Sequence, residues 1–99
     1  HQIKLQAESF NSFLSKDFLN SCIDFINSSS NKSQDLRIVG PLPALMEKKS
    51  GLFRWELNFF SQSRSSLHKM VNSLQFFLYE PKKTRRVRWS LDIDPVSTL

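Results

Sequence analysis

The feature that most constrains this chain is an alternation near its end. Val87, Trp89, Leu91 and Ile93 alternate with Arg86, Arg88, Ser90 and Asp92. A period of two describes a β-strand with one apolar and one wet face. The same stretch is cationic: five of the seven residues from Lys82 to Arg88 are Lys or Arg. Arginine offers a planar fork of donors suited to phosphates and carboxylates. The pattern therefore predicts a positive patch fixed to a rigid sheet.

A second period recurs elsewhere. Ile3, Leu5 and Ala7 alternate with polar residues and predict a first strand. Ser9 is a suitable cap for a following helix. Phe10, Phe13, Leu14, Phe18, Cys22, Phe25 and Ile26 recur at threes and fours, the stripe of an amphipathic helix, and the Phe residues of this helix and of the second one described below read as core. A polar loop over 27–33 leads to Leu36, Ile38 and Val39, a short second strand. Gly40-Pro41-Leu42-Pro43-Ala44 reads as a rigid turn that stops it, because two prolines fix φ and remove two donors. Residues 45–51 read as the approach to the next strand, with turn chemistry at Ser50-Gly51. Phe53, Trp55, Leu57 and Phe59 alternate as a third strand. Ser63 caps a second helix whose stripe is Leu67, Met70, Val71, Leu74, Phe77 and Leu78, and Pro81 closes that region.

The order β-α-β-β-α-β predicts an α+β two-layer sandwich, an antiparallel-rich sheet with both helices on one face. Ninety-nine residues suit one domain over 1–99. The start, His1-Gln2-Ile3, has neither Met nor a signal-peptide pattern, and reads as a domain cut from a larger protein.

Charge is uneven. The formal net charge is +5. Residues 1–47 hold four Lys/Arg against five acids, and residues 48–99 hold ten against four. A basic half favours polyanions. Cys22 is the sole cysteine, which excludes a disulfide framework and fits a small core residue in a reducing compartment. There is no apolar run of transmembrane length.

Catalytic patterns are missing. No phosphate-cradling G-x-x-x-x-G-K-[ST] occurs, and the two glycines are too few for a dinucleotide loop. His1 and His68 with one Cys make no metal site. Asp92 and Asp94 share a strand face but read as solvated acids or partners of nearby arginines. A small ferredoxin-like enzyme such as an acylphosphatase would need a phosphate loop between the first strand and first helix. Here that junction is Ala7-Glu8-Ser9-Phe10-Asn11, acidic and without Gly or Arg. Trp55 and Trp89 alternate with aliphatic residues and read as core, which leaves Phe60 as the exposed-aromatic candidate.

Four segments in order resemble one family: Gly40-Pro41-Leu42-Pro43-Ala44, Phe53-Arg54-Trp55-Glu56-Leu57, Ser63-Arg64, and Arg85-Arg86-Val87-Arg88-Trp89-Ser90-Leu91-Asp92-Ile93-Asp94-Pro95. Together they strongly resemble the C-terminal domain of the bacterial replication-restart helicase PriA, the primosomal protein N′. The likeness is specific over residues 36–99 and rests on pattern alone over 1–35. It implies a fold like the tenth protein of the small ribosomal subunit. It implies a non-catalytic domain of a cytoplasmic, bacterial, ATP-dependent 3′–5′ DNA helicase, with ATP, magnesium and zinc bound only by other domains and no cofactor here. The implied partners are branched (fork) DNA, the acidic C-terminal tail of single-stranded-DNA-binding protein (SSB), other primosome proteins and the upstream helicase domains, with no membrane. For the SSB tail it implies Arg64 and, one turn on, His68, where the family carries Gln. The basic residues Lys82, Lys83, Arg85, Arg86, Arg88 and Arg54 are the expected DNA contacts, with Arg37 as an extension. The alternatives are a ribosomal-type RNA-binding domain or an acidic-peptide-binding module.

Overall fold

A computed structural model describes residues 1–28, 34–49, 51–80 and 86–93, and over 45–49 the backbone alone. The elements are β1 (Gln2–Ser9), α1 (Ser12–Asn27), β2 (Arg37–Lys49), β3 (Leu52–Phe60), α2 (Arg64–Leu78) and β4 (Arg88–Ile93). The sheet order is β2-β3-β1-β4, with every pair antiparallel. Each βαβ half is therefore split by a strand of the other half. The expected α+β sandwich is the observed one.

β1 is central because its alternation is strict. Ile3, Leu5, Ala7 and Ser9 are buried beneath the helices, and Gln2, Lys4, Gln6 and Glu8 face the open side. Cross-strand register sets the layers of the core. Leu5 lies between Leu57 and Leu91, and Ile3 between Phe59 and Ile93. Ala7 lies between Trp55 and Trp89, where a small side chain leaves room for two indoles. Each indole is half-buried and needs a partner for its N–H. Trp55 Nε1 donates to Ser12 Oγ at 2.9 Å, at the start of α1. Trp89 Nε1 donates to the Leu78 carbonyl at 3.1 Å, at the end of α2. Each fully buried leucine, such as Leu5, Leu19, Leu57 or Leu74, contributes about 1.5–3 kcal/mol.

The start of α1 differs from the expectation. Ser9 does not cap the helix. It is the last residue of β1, with its hydroxyl 2.6 Å from Ser15 Oγ, and Ser15 donates in turn to the Phe53 carbonyl at 3.1 Å. The cap is Asn11, whose Oδ1 accepts from the Phe13 N–H at 2.8 Å. The buried stripe turns accordingly to Ser15, Phe18, Leu19, Cys22 and Ile26. Phe13 precedes Ser15 by about 200° of helical turn and faces outward. Phe10 sits ahead of the cap. Both rings were expected in the core and both lie in water.

α2 follows its stripe, but Phe76, expected in the core with the other helical Phe residues, lies next to the stripe position Phe77 and is exposed. Ser63 Oγ accepts from the Ser66 N–H at 3.2 Å, and Leu67, Met70, Leu74 and Leu78 are buried. Phe77 is half-buried and meets Phe18 and Phe25 of α1, with ring centroids 6.0 and 5.4 Å away. Cys22 is wholly buried as a small core residue, and burial pushes its thiol up to about 12.

β2 is a second correction. The Gly40–Ala44 segment does not end the strand; β2 continues to Lys49. Its register with β3 shifts between Val39 and Leu42 and again between Pro43 and Lys48. This works because β2 is an edge, where prolines and bulges remove no essential ladder bond. Gly40 is required there: its φ is +124°, and a Cβ would stand 2.7 Å from the Glu56 carbonyl oxygen. At the other edge Val87 is buried just before β4, and Ile93, expected on the apolar face, is exposed at the strand's end.

Candidate nucleic-acid interface

The strands place the basic residues unequally. Arg88 opens β4 and stands opposite Glu8, and Glu8 stands opposite Arg54 on its other side. The open face of the sheet thus carries a row Arg54–Glu8–Arg88. Glu8 takes the Arg54 side: Arg54 Nη2 donates to Glu8 Oε1 at 3.2 Å, and Arg54 is half-buried. Its Nε is buried with no hydrogen-bond partner among the described residues. A second ion pair on that face joins Lys4 and Glu56 at 3.8 Å. Arg86 and Arg88 are exposed and belong to neither pair. Lys82, Lys83 and Arg85 lie outside the described residues.

A cleft of about 430 Å³ opens beside these arginines, lined by Phe10, Asn11, Leu14, Arg86, Val87 and Arg88. Arg37 does not join them. It pairs in register with Phe60, six residues along β3 from Arg54, which is roughly 20 Å. Phe60 is half-buried and lines a separate cleft there with His1, Asp35 and Arg37, so it is not the exposed ring the alternation suggested. The exposed aromatics are Phe10 (81%), Phe13 (69%), Phe76 (83%) and Tyr79 (70%). Asn11 was the signal for the first two: a cap as good as Ser9, it starts the helix two residues later once Ser9 is held in β1, and both rings then lie outside the buried stripe.

Arg64 and His68 occupy the first turns of α2, are both exposed, and share one face four residues apart. They are brought together as the spacing requires. They are also separated from the Arg86 corner. α2 runs about 20 Å from Arg64 to Leu78, and Leu78 is the residue bonded to Trp89. Around Arg64 the polar groups are partnered: Ser61 Oγ donates to Asp35 at 2.8 Å, and the Ser63 N–H donates to Ser61 Oγ at 3.0 Å.

The family model for the primosomal protein N C-terminal domain matches residues 1–96. The chain belongs to that family. It is 34% identical over 94 residues to replication restart protein PriA of Haemophilus influenzae, a match covering 95% of this chain and 12% of the relative. The chain therefore spans about an eighth of that relative's length. Solved structures agree on the fold alone. The de novo designed protein Foldit4 superposes with TM-score 0.62 at 6% identity, covering 94% of this chain and 96% of its own. A dimeric ferredoxin-like protein from an uncultured marine organism gives 0.59 at 12% identity, covering 92% and 89%. An amidase of the hydantoinase/carbamoylase family from Burkholderia phymatum gives 0.57 at 16% identity, covering 95% of this chain and 27% of the amidase. Among the described residues no three of His, Cys, Asp and Glu converge as metal ligands, and no helix is long and apolar enough to cross a membrane.

Proposed function

We propose that this is a non-catalytic accessory domain of a replication-restart protein, and that it binds branched DNA through the Arg86–Arg88 corner. The observation that carries this reading is the freedom of those two side chains: both are exposed at the mouth of a strand in unbroken register with β1, and no ion pair among the described residues holds either. Lys82, Lys83 and Arg85 precede them in sequence and extend the charge. Contacts of this kind grip phosphates and carry little sequence information, which suits a protein that must act at forks wherever they stall. Helicase activity, ATP, magnesium and zinc would belong to other domains of the longer protein. The test is fork binding at several salt concentrations by the parent and by an Arg85→Ala, Arg86→Ala, Arg88→Ala variant. The variant is expected to bind more weakly, with the log–log salt slope shallower by about 0.9 per lost phosphate contact. Unchanged affinity and slope would reduce the patch to a solubilising edge. Preference for structured RNA over the fork would move the domain to the ribosomal-type reading.

A second reading rests on Arg64. It lies in the first turn of α2, where the cap takes the Ser66 N–H, the other first-turn N–H groups have no intrahelical carbonyl to bond, and no acidic side chain is present. A cation there opposes the helix dipole, and an anionic ligand would reverse that cost. This supports docking of an acidic SSB tail by Arg64 and His68, with the rest of the pocket supplied by other domains. Weak binding of a tail peptide, lost in Arg64→Ala, is the expected result.

A further inference from the structure

The Phe10 corner carries more than charge. Phe10 is 81% exposed and Phe13 69%. A chain of this size gains about 1.5–3 kcal/mol from burying such a side chain, so two rings left in water three residues apart call for a reason. They do not stand alone. The 430 Å³ cleft is lined by the exposed Phe10 ring, by the more buried Leu14 and Val87, and by the exposed cations Arg86 and Arg88. Volumes near this size are those of small-ligand clefts.

We infer that Phe10 is a stacking platform for an unpaired nucleobase, held in this cleft while Arg86 and Arg88 engage the flanking phosphates. This rests on the DNA-binding reading and deepens it by naming what part of a branched DNA the corner takes. Three features favour it over an acidic peptide. The apolar wall is a flat ring, whose face accepts any base irrespective of sequence. The cations are arginines, which match phosphate oxygens bidentately. The sequence leading into the corner is dense in cations, five in seven residues, more charge than one terminal carboxylate calls for. Stacking needs a base out of its pair, so the cleft reads single-stranded arms at the junction and ignores the duplex.

The experiment is fluorescence anisotropy with four labelled probes: a fork with unpaired arms, the same fork with abasic arms, a blunt duplex, and an acidic peptide with a free C-terminus. The proteins are the parent, Phe10→Ala, Phe10→Trp and Arg86→Ala/Arg88→Ala. Phe10 is exposed, so its replacement leaves the thermal midpoint near the parent's, which is checked first. Phe10→Ala is expected to weaken binding of the unpaired-arm fork roughly 5- to 150-fold, the range for one stacked base. Its duplex affinity and salt slope should match the parent's. Phe10→Trp should restore fork binding, and the abasic fork should bind parent and Phe10→Ala alike. The arginine variant should weaken on every DNA. If the arginine variant weakens and Phe10→Ala keeps parental affinity for the fork, the stacking inference is overturned and the DNA reading stands. If the arginine variant binds all DNAs like the parent, both fall. If Phe10→Ala loses only the acidic peptide, the cleft is a peptide site and the inference is overturned.

Discussion

Arg88 and Arg64 look alike in isolation: each is an exposed arginine that opens a secondary-structure element. Their surroundings differ. At the Arg64 end, Ser61, Ser63 and Asp35 bond one another, and α2 is capped by its own sequence. At the Arg88 end, the exposed Phe10 ring lines a cleft and the exposed Tyr79 ring packs against Trp89, one of two indoles that anchor the helices. An exposed cation is the default state of a cation and says little. An exposed ring forgoes burial, so it marks the end with more to explain.

Four measurements would break or sharpen that contrast. Trp89→Ala should have the largest effect, about 3 kcal/mol in denaturant unfolding, because it removes both the packing and the bond that ties β4 to the end of α2. At the other end Ser63→Ala should cost about 1 kcal/mol, the loss of one helix cap. If the two costs were equal, the Arg88 corner would not be built on the more rigid support. Cys22 reports on the region between. Its thiol titrates near 9 when unfolded and about 12 when folded, so above pH 9 the unfolded chain releases a proton that the folded chain retains. The stability it contributes is complete below pH 9 and declines as pH rises toward 12. Cys22→Ala should flatten that part of the pH–stability curve. Smallest of all, Arg86→Ala and Arg64→Ala should each leave stability within about 0.5 kcal/mol, since both side chains are exposed. A larger cost at either would mean a structural role for that arginine.

Much of the fold was legible because its periods are clean. The alternations at 3–7, 53–59 and 87–91 and the stripe from Leu67 to Leu78 name the inward faces directly. The errors share a cause: local signals compete with partners that are distant in sequence. Ser9 looks like a cap until Ser15 and the Phe53 carbonyl claim its surroundings. Pro41 and Pro43 look like a stop until β2 is known to be an edge. Arg54 looks free until register sets Glu8 beside it, 46 residues away. For the candidate site, the basic run was visible as composition, and Arg64 and His68 as a resemblance. The Phe10 cleft was not visible, because it depends on where one helix begins.

The two margins of the sheet are unequal in a way that governs how another polypeptide could join it. Along β2 an incoming strand would meet two prolines without N–H groups and two breaks in register. Along β4 it would find six residues, none of them proline, aligned evenly with β1. Among the described residues, strand addition is thus hindered along β2 and unobstructed along β4, so a strand joining this sheet would enter beside β4.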